Sequence, residues 1–131
     1  MSRIFEYNGV QLEMDMLDAV FVEKYEKAFE KMGAAEEALR KEPSIGSASQ
    51  RIRKYCQMFY DLYDDIFGAG TSKKMFGDTC NIRLVDESYA EFLKAARSGQ
   101  AEREESSAKW KYAVNRERRR DGGRNHGRKH R

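Results

Sequence analysis

The chain has 131 residues, with 25 Lys+Arg, 22 Asp+Glu, two His, two Cys and one Pro, and is 40% apolar and 36% charged. That is enough chain for one domain, with fewer apolar and more charged residues than an average globular chain, so the core is expected to be small. No stretch approaches the about 20 apolar residues of a membrane span, and the N-terminus lacks a basic region followed by an apolar run, so a soluble, cytoplasmic protein is expected. Cys56 and Cys80 have neither the spacing of a metal knuckle nor the density of a disulfide scaffold, and are expected as reduced thiols.

The net charge of +3 averages two unlike parts. Residues 1–108 hold 15 Lys+Arg against 20 Asp+Glu, a balance of −5, whereas residues 109–131 hold 10 against 2, a balance of +8. An acidic body carrying a basic arm implies that the arm meets something anionic: nucleic acid, an acidic protein surface or the body itself.

The chain opens on Arg3-Ile-Phe-Glu-Tyr7 and Val10-Gln-Leu-Glu-Met14, joined by Asn8-Gly9. Two alternating runs joined by Asn-Gly predict a β-hairpin, because the type I′ turn needs positive φ at both central residues. An isolated hairpin is marginal, so it should lie on the helices that follow. From Leu17 to Lys41, the positions Leu17, Phe21, Tyr25, Ala28, Met32, Ala35 and Leu39 recur at three and four, a helical stripe. Asp15 or Asp18 can cap its start, and Pro43 ends it, since the residue before a proline is pushed out of the α region.

A second helix is predicted from an N-cap at Ser44 through Ile45, Ala48, Ile52, Tyr55, Phe59, Leu62 and Ile66, ending at Gly68. Arg51, Arg53 and Lys54 lie near its start and Asp61, Asp64 and Asp65 near its end, the reverse of what the helix dipole favours. Those charges should therefore have partners on other helices or molecules. Between Gly68 and Asp78 a short glycine-flanked helix is expected; it is not a phosphate loop, because Thr71 and Ser72 precede Lys73 and Lys74 and a helix lies upstream. Asn81 to Val85 reads as an extended connection, Asp86 as the cap of a third long helix with Tyr89, Phe92, Leu93 and Ala96 on its inner face, and Gly99 as a place where that helix either breaks or continues as an exposed rod. From Asn115 onward there is no aliphatic residue, and the segment is expected to order only on binding.

The fold class is thus mainly α: an N-terminal β-hairpin, an antiparallel α-hairpin and a third helix over residues 1–108, then a flexible basic arm over 109–131. Catalytic residues are not expected. His126 and His130 lie in the arm, where no rigid scaffold positions them, and the glycines around them oppose a chelating helix. Neither cysteine has a base near it in sequence, and Asp61, Asp64 and Asp65 on one helix lack further ligands, so no metal and no cofactor are called for. What remains is binding. Tyr55, Phe59, Tyr60, Tyr63 and Phe67 go most of the way round the second helix, which implies cover on more than one side and hence self-association.

The segments Tyr7-Asn-Gly-Val-Gln-Leu-Glu-Met-Asp15, Glu23-Lys-Tyr-Glu-Lys-Ala28, Asp64-Asp-Ile-Phe-Gly-Ala-Gly-Thr-Ser-Lys-Lys-Met-Phe-Gly77 and Tyr112-Ala-Val-Asn-Arg-Glu-Arg-Arg119 resemble a family of short phage and prophage proteins encoded among tail genes and treated as tail assembly chaperone-like. The likeness runs to about Arg120, with Asn115, Arg116, Arg118 and Arg119 at the positions of a recurring basic segment; the extension from Asp121 departs from it. The resemblance implies a helical chaperone that keeps the tail tape-measure protein, a very long helical chain with apolar stripes, soluble during assembly. Partner contacts are then expected at Tyr55, Phe59, Tyr63 and Phe67 on the body and at Trp110, Tyr112, Arg116, Arg118, Arg119 and Arg120 on the arm. The competing readings are a nucleic-acid-binding or regulatory protein that holds phosphates with the arm, and a phage inhibitor of a host defence protein.

Overall fold

Asn8 and Gly9 both adopt positive φ, at 53° and 80°, and close a two-residue turn that pairs Tyr7 with Val10 and Phe5 with Leu12. The computed structural model describes residues 3–42 and 46–129, apart from the side chains of Arg3, Asn115 and 117–129. The hairpin is β1 (Arg3–Tyr7) and β2 (Val10–Met14), antiparallel. Its pleat puts Phe5, Tyr7, Val10, Leu12 and Met14 on one face, buried or half-buried, while Ile4, Glu6, Gln11 and Glu13 face outward. Asn8 anchors the turn by donating its side-chain N–H to the Met75 carbonyl at 2.9 Å.

Helix α1 (Ala19–Lys41) starts at Asp18, whose carboxylate accepts the Phe21 N–H at 3.0 Å, and stops at Glu42, just before Pro43. Leu17, read from sequence as the first member of the apolar stripe, precedes the helix and is exposed. Helix α2 (Ala48–Phe67) begins one turn later than the expected Ser44. Ser47 takes the N-cap because Gln50 stands three residues on: Ser47 Oγ accepts the Gln50 N–H, and the Gln50 side chain accepts the Ser47 N–H, a reciprocal capping box. Ser44 and Ile45 lie outside the described residues. Gly68, at φ 115°, ends α2 as its sequence predicts.

The two helices pack antiparallel, and the charges that oppose the α2 dipole find partners across the domain. Lys31 of α1 pairs with Asp65 at 3.1 Å, and Lys54 pairs with Glu42. Asp64 accepts both the backbone N–H and the hydroxyl of Ser72, at 2.8 and 3.1 Å, at the start of α3 (Thr71–Phe76).

Helix α4 runs from Ile82 to Lys129. It therefore starts before the expected Asp86, and the connection read as 81–85 is already helical from Ile82 on. The reason is Asn81, whose side-chain oxygen accepts the N–H of Arg83 at 2.9 Å and of Leu84 at 3.4 Å and so supplies an earlier cap. Val85, Ser88, Phe92 and Ala96 are buried, and Tyr89 and Leu93 are half-buried against the core. The helix passes Gly99 without a break, because Gly99 lets it lie against the bend between hairpin and α1: a Cβ there would meet Met16 side-chain carbons at 2.6 and 2.8 Å.

Phe92 is the centre of the core. The rings of Phe5, Tyr25, Phe29, Tyr63, Phe67 and Tyr89 all lie within 5.4–6.2 Å of it, several in the edge-to-face arrangement that aromatic quadrupoles favour. Tyr63 brings a hydroxyl into this apolar layer, where it lies 2.8 Å from Ser88 Oγ. Ser88 commits its own proton to the Val85 carbonyl at 2.7 Å, so Tyr63 is the donor. The architecture is thus mainly helical with an N-terminal β-hairpin, and the hairpin rests on the helices of its own chain.

Candidate functional site

The first half of α4 belongs to the body and the second half leaves it. Arg103 donates from Nη1 to the Met16 carbonyl at 3.1 Å. From Arg103 to Ala113 every side chain is exposed. The reason is compositional: Val85, Phe92 and Ala96 give way to Glu104, Glu105, Ser106, Ser107 and Lys109, which have nothing apolar to bury. From Glu104 to Arg116 the helix covers about 20 Å.

Two aromatic side chains interrupt this polar rod. Trp110 is 67% exposed and Tyr112 is 60% exposed, unusual for side chains that gain so much from burial. Arg116, one turn beyond Tyr112, holds its guanidinium 5.8 Å from the centre of that ring, a cation–π contact worth about 0.5–1 kcal/mol at an exposed position. Glu105 pairs with Lys109 at 3.8 Å, so the acidic charges lie nearer the body and the basic ones toward the C-terminus, in the sense that suits the helix dipole. Tyr112 and Arg116 thus share one face of the exposed helix, and Trp110, two residues before Tyr112, points about 160° away from it. Arg118, Arg119 and Arg120 follow on the same helix, their side chains outside the described set, as is the His126 side chain; His130 lies outside the described residues.

The four aromatic residues expected as body contacts sit elsewhere. Phe59 and Tyr63 are 4% and 0% exposed and belong to the domain's own core: Phe59 meets the Tyr89 ring edge-on at 4.9 Å, and Tyr63 packs on Phe5, Phe76 and Phe92. Phe67 is half-buried against Phe5, Phe21 and Phe92. Tyr55 is half-buried, packs on Phe59 and donates its hydroxyl to Asp86 at 2.6 Å; burial first, then that carboxylate, push its pKa up to about 12. The chain itself supplies much of the cover expected from another molecule: α1, α3, α4 and the hairpin bury Phe59 and Tyr63 and half-bury Tyr55 and Phe67. Composition could not reveal this, because the cover comes from Phe5, Phe21, Phe76, Tyr89 and Phe92, residues distant in sequence.

The glycine-flanked loop before α3 is also accounted for. The Asp64 carboxylate occupies the place at the start of that helix where an anion would otherwise bind, and Thr71 donates its hydroxyl to the Gly68 carbonyl at 2.7 Å. Among the described residues, no group of three or more His, Cys, Asp or Glu side chains is arranged to hold a metal ion, and no helix is long and apolar enough to cross a membrane.

Of the residues named from sequence, Trp110, Tyr112 and Arg116 lie on the exposed stretch of α4, where Tyr112 and Arg116 are in contact. Sequence reasoning marked Gly99 as the place where the helix breaks or goes on as an exposed rod, but missed Arg103 and the partner of both, Met16, which is remote in sequence. No curated protein and no solved structure matches the chain. Residues 8–123, spanning the body and most of the projecting helix, match the model of a family described as a family of unknown function, DUF6673, and the chain belongs to that family.

Proposed function

We propose that the protein is a non-enzymatic binding protein of the phage tail assembly chaperone type, engaging the tape-measure protein through the projecting part of α4. The observation that carries this reading is the contrast along that helix: the body closes most of its own aromatic core, whereas Trp110 and Tyr112 are left in solvent, Tyr112 beside Arg116. Aromatic and arginine side chains on one rigid element are what a protein-binding surface uses as anchors. The acidic stretches of a long helical client complement Arg116, Arg118, Arg119 and Arg120, and its apolar stripes complement Trp110 and Tyr112. Tyr55 and Phe67, only half-buried, are the two body residues that remain available for contact. Self-association, first expected from the aromatic content, now rests on the same exposed pair.

Co-expression of the full chain with a tagged tape-measure protein tests the reading. Wild type should co-purify, and a Trp110→Ala/Tyr112→Ala double variant should lose at least tenfold of the yield. Failure of the wild type to co-purify overturns the assignment. If labelled DNA or RNA binds instead, with an affinity that falls steeply between two salt concentrations, the phosphate-holding arm replaces it.

A further inference from the structure

The chain has two cysteines, both free, and the fold brings them together. Cys56 lies on α2, fully buried. Cys80 lies in the connection between α3 and α4, half-buried, with its Sγ 3.8 Å from the Ile52 carbonyl, the same carbonyl that accepts the helical N–H of Cys56. One turn beyond Cys56, the Tyr60 hydroxyl donates to the Thr79 carbonyl at 2.6 Å, so Cys80 and the residue before it are held against the row of α2 that carries Ile52, Cys56 and Tyr60. On its outer side Cys80 lines an open depression with Ile52, Asn81, Ile82, Arg83 and Asp86. Cys80 is therefore partly open to solvent, whereas Cys56 is not.

We propose that Cys80 and Cys56 form a peroxide-reactive dithiol site, in which Cys80 is oxidised first and Cys56 resolves it to an intramolecular disulfide joining α2 to the α3–α4 connection. In the first step the Cys80 sulfur attacks hydrogen peroxide; the O–O bond breaks, the sulfur becomes a sulfenic acid and one water leaves. In the second, the Cys56 sulfur attacks the Cys80 sulfenyl sulfur; the S–O bond breaks, the S–S bond forms, and hydroxide departs with the Cys56 proton as a second water. Two thiols lose two electrons and two protons in all, and peroxide takes them up. Cys56 is fully buried and Cys80 only half-buried, so the order of reaction follows from access. The connection carrying Cys80 is non-helical from Gly77 to Asn81 and can supply the small shift that bonding requires.

The test treats the reduced full-length protein with hydrogen peroxide, blocks remaining thiols with N-ethylmaleimide and measures the intact mass without reductant. The expected product is a monomer two hydrogens lighter than the reduced chain, carrying no maleimide, with a melting temperature higher by roughly 10 °C that dithiothreitol restores. In Cys56→Ala, Cys80 should instead persist as a sulfenic acid that reacts with dimedone. Uptake of two maleimides by peroxide-treated wild type overturns the proposal, as does direct conversion of Cys80 to sulfinic acid at equal rates in wild type and Cys56→Ala, or a disulfide that forms only between chains. Should the variant fail to fold, the wild-type mass alone decides.

Discussion

The two halves of α4 obey the same backbone geometry and opposite side-chain logic. Between Val85 and Gly99 the helix is held by what it buries, with Phe92 ringed by six aromatic side chains and Gly99 pressed against Met16. Among the described side chains beyond Arg103 the contacts are local, such as the Glu105–Lys109 pair and the Tyr112–Arg116 contact, each worth a fraction of a kcal/mol to about one. Burial thus fixes one half, and the other is available for contacts the body does not supply. Substitutions in the two halves should separate stability from binding.

The largest effect is expected at the centre of the buried half. Phe92→Ala should cost about 3–5 kcal/mol, measured as a fall in the urea midpoint at constant slope, because the six rings around it cannot all collapse into the space. Next comes a pair of glycines with opposite expected signs. Gly99→Ala should destabilise by about 1–3 kcal/mol through the collision with Met16, even though alanine is the better helix former by about 1 kcal/mol. Gly33→Ala in α1, where nothing lies within 4 Å of the added carbon, should stabilise by about 0.5–1 kcal/mol. Equal shifts at both positions would refute the close approach at Gly99.

The body should also answer to alkaline pH. Burial leads the causes that raise the pKa of Tyr7, Tyr25, Tyr55, Tyr60, Tyr63 and Tyr89 above the ordinary value of 10, with Tyr55 at about 12. A raised folded pKa favours the neutral phenol, so this contribution is complete below pH 10 and is lost as the pH rises toward 12. Melting temperatures between pH 8 and 12 should be level at first and then fall; a level curve throughout would contradict the burial of these hydroxyls. The smallest effect on stability is expected in the projecting half: Trp110→Ala should change unfolding free energy by less than about 0.5 kcal/mol, and Tyr112→Ala, which also loses the Arg116 contact, by less than about 1 kcal/mol, while both weaken capture of the partner. A large loss of stability would show that these rings pack against the body.

Local signals were legible where their cause is local. Asn8-Gly9 announced the hairpin, the three-four spacing from Phe21 to Leu39 announced α1, and Gly68 marked the end of α2. The reversed charges on α2 foretold partners, and Lys31–Asp65 and Asp64–Ser72 supply them. The cap positions were harder, since Ser44 and Ser47 compete on nearly equal terms until Gln50 is counted, and Asn81 competes with Asp86. What sequence could not give was anything that depends on distant residues meeting: Phe59 and Tyr63 turned inward by Phe5, Phe76 and Phe92, Gly99 fitted to Met16, and Cys80 folded back onto the turn that carries Cys56.

Because α4 is unbroken from Ile82 through Trp110, its clamp at Gly99 and Arg103 acts on the exposed aromatic side chains as a bearing acts on a shaft. Trp110 follows Phe92 by about five whole turns, so it points along the direction that, inside the body, is buried. Inserting one alanine after Ser106 would turn Trp110 by about 100° and advance it about 1.5 Å, with every exposed residue still present. Composition would hardly change and only phase would, so partner capture by such a variant reads out whether the orientation set by the body is part of what is recognised.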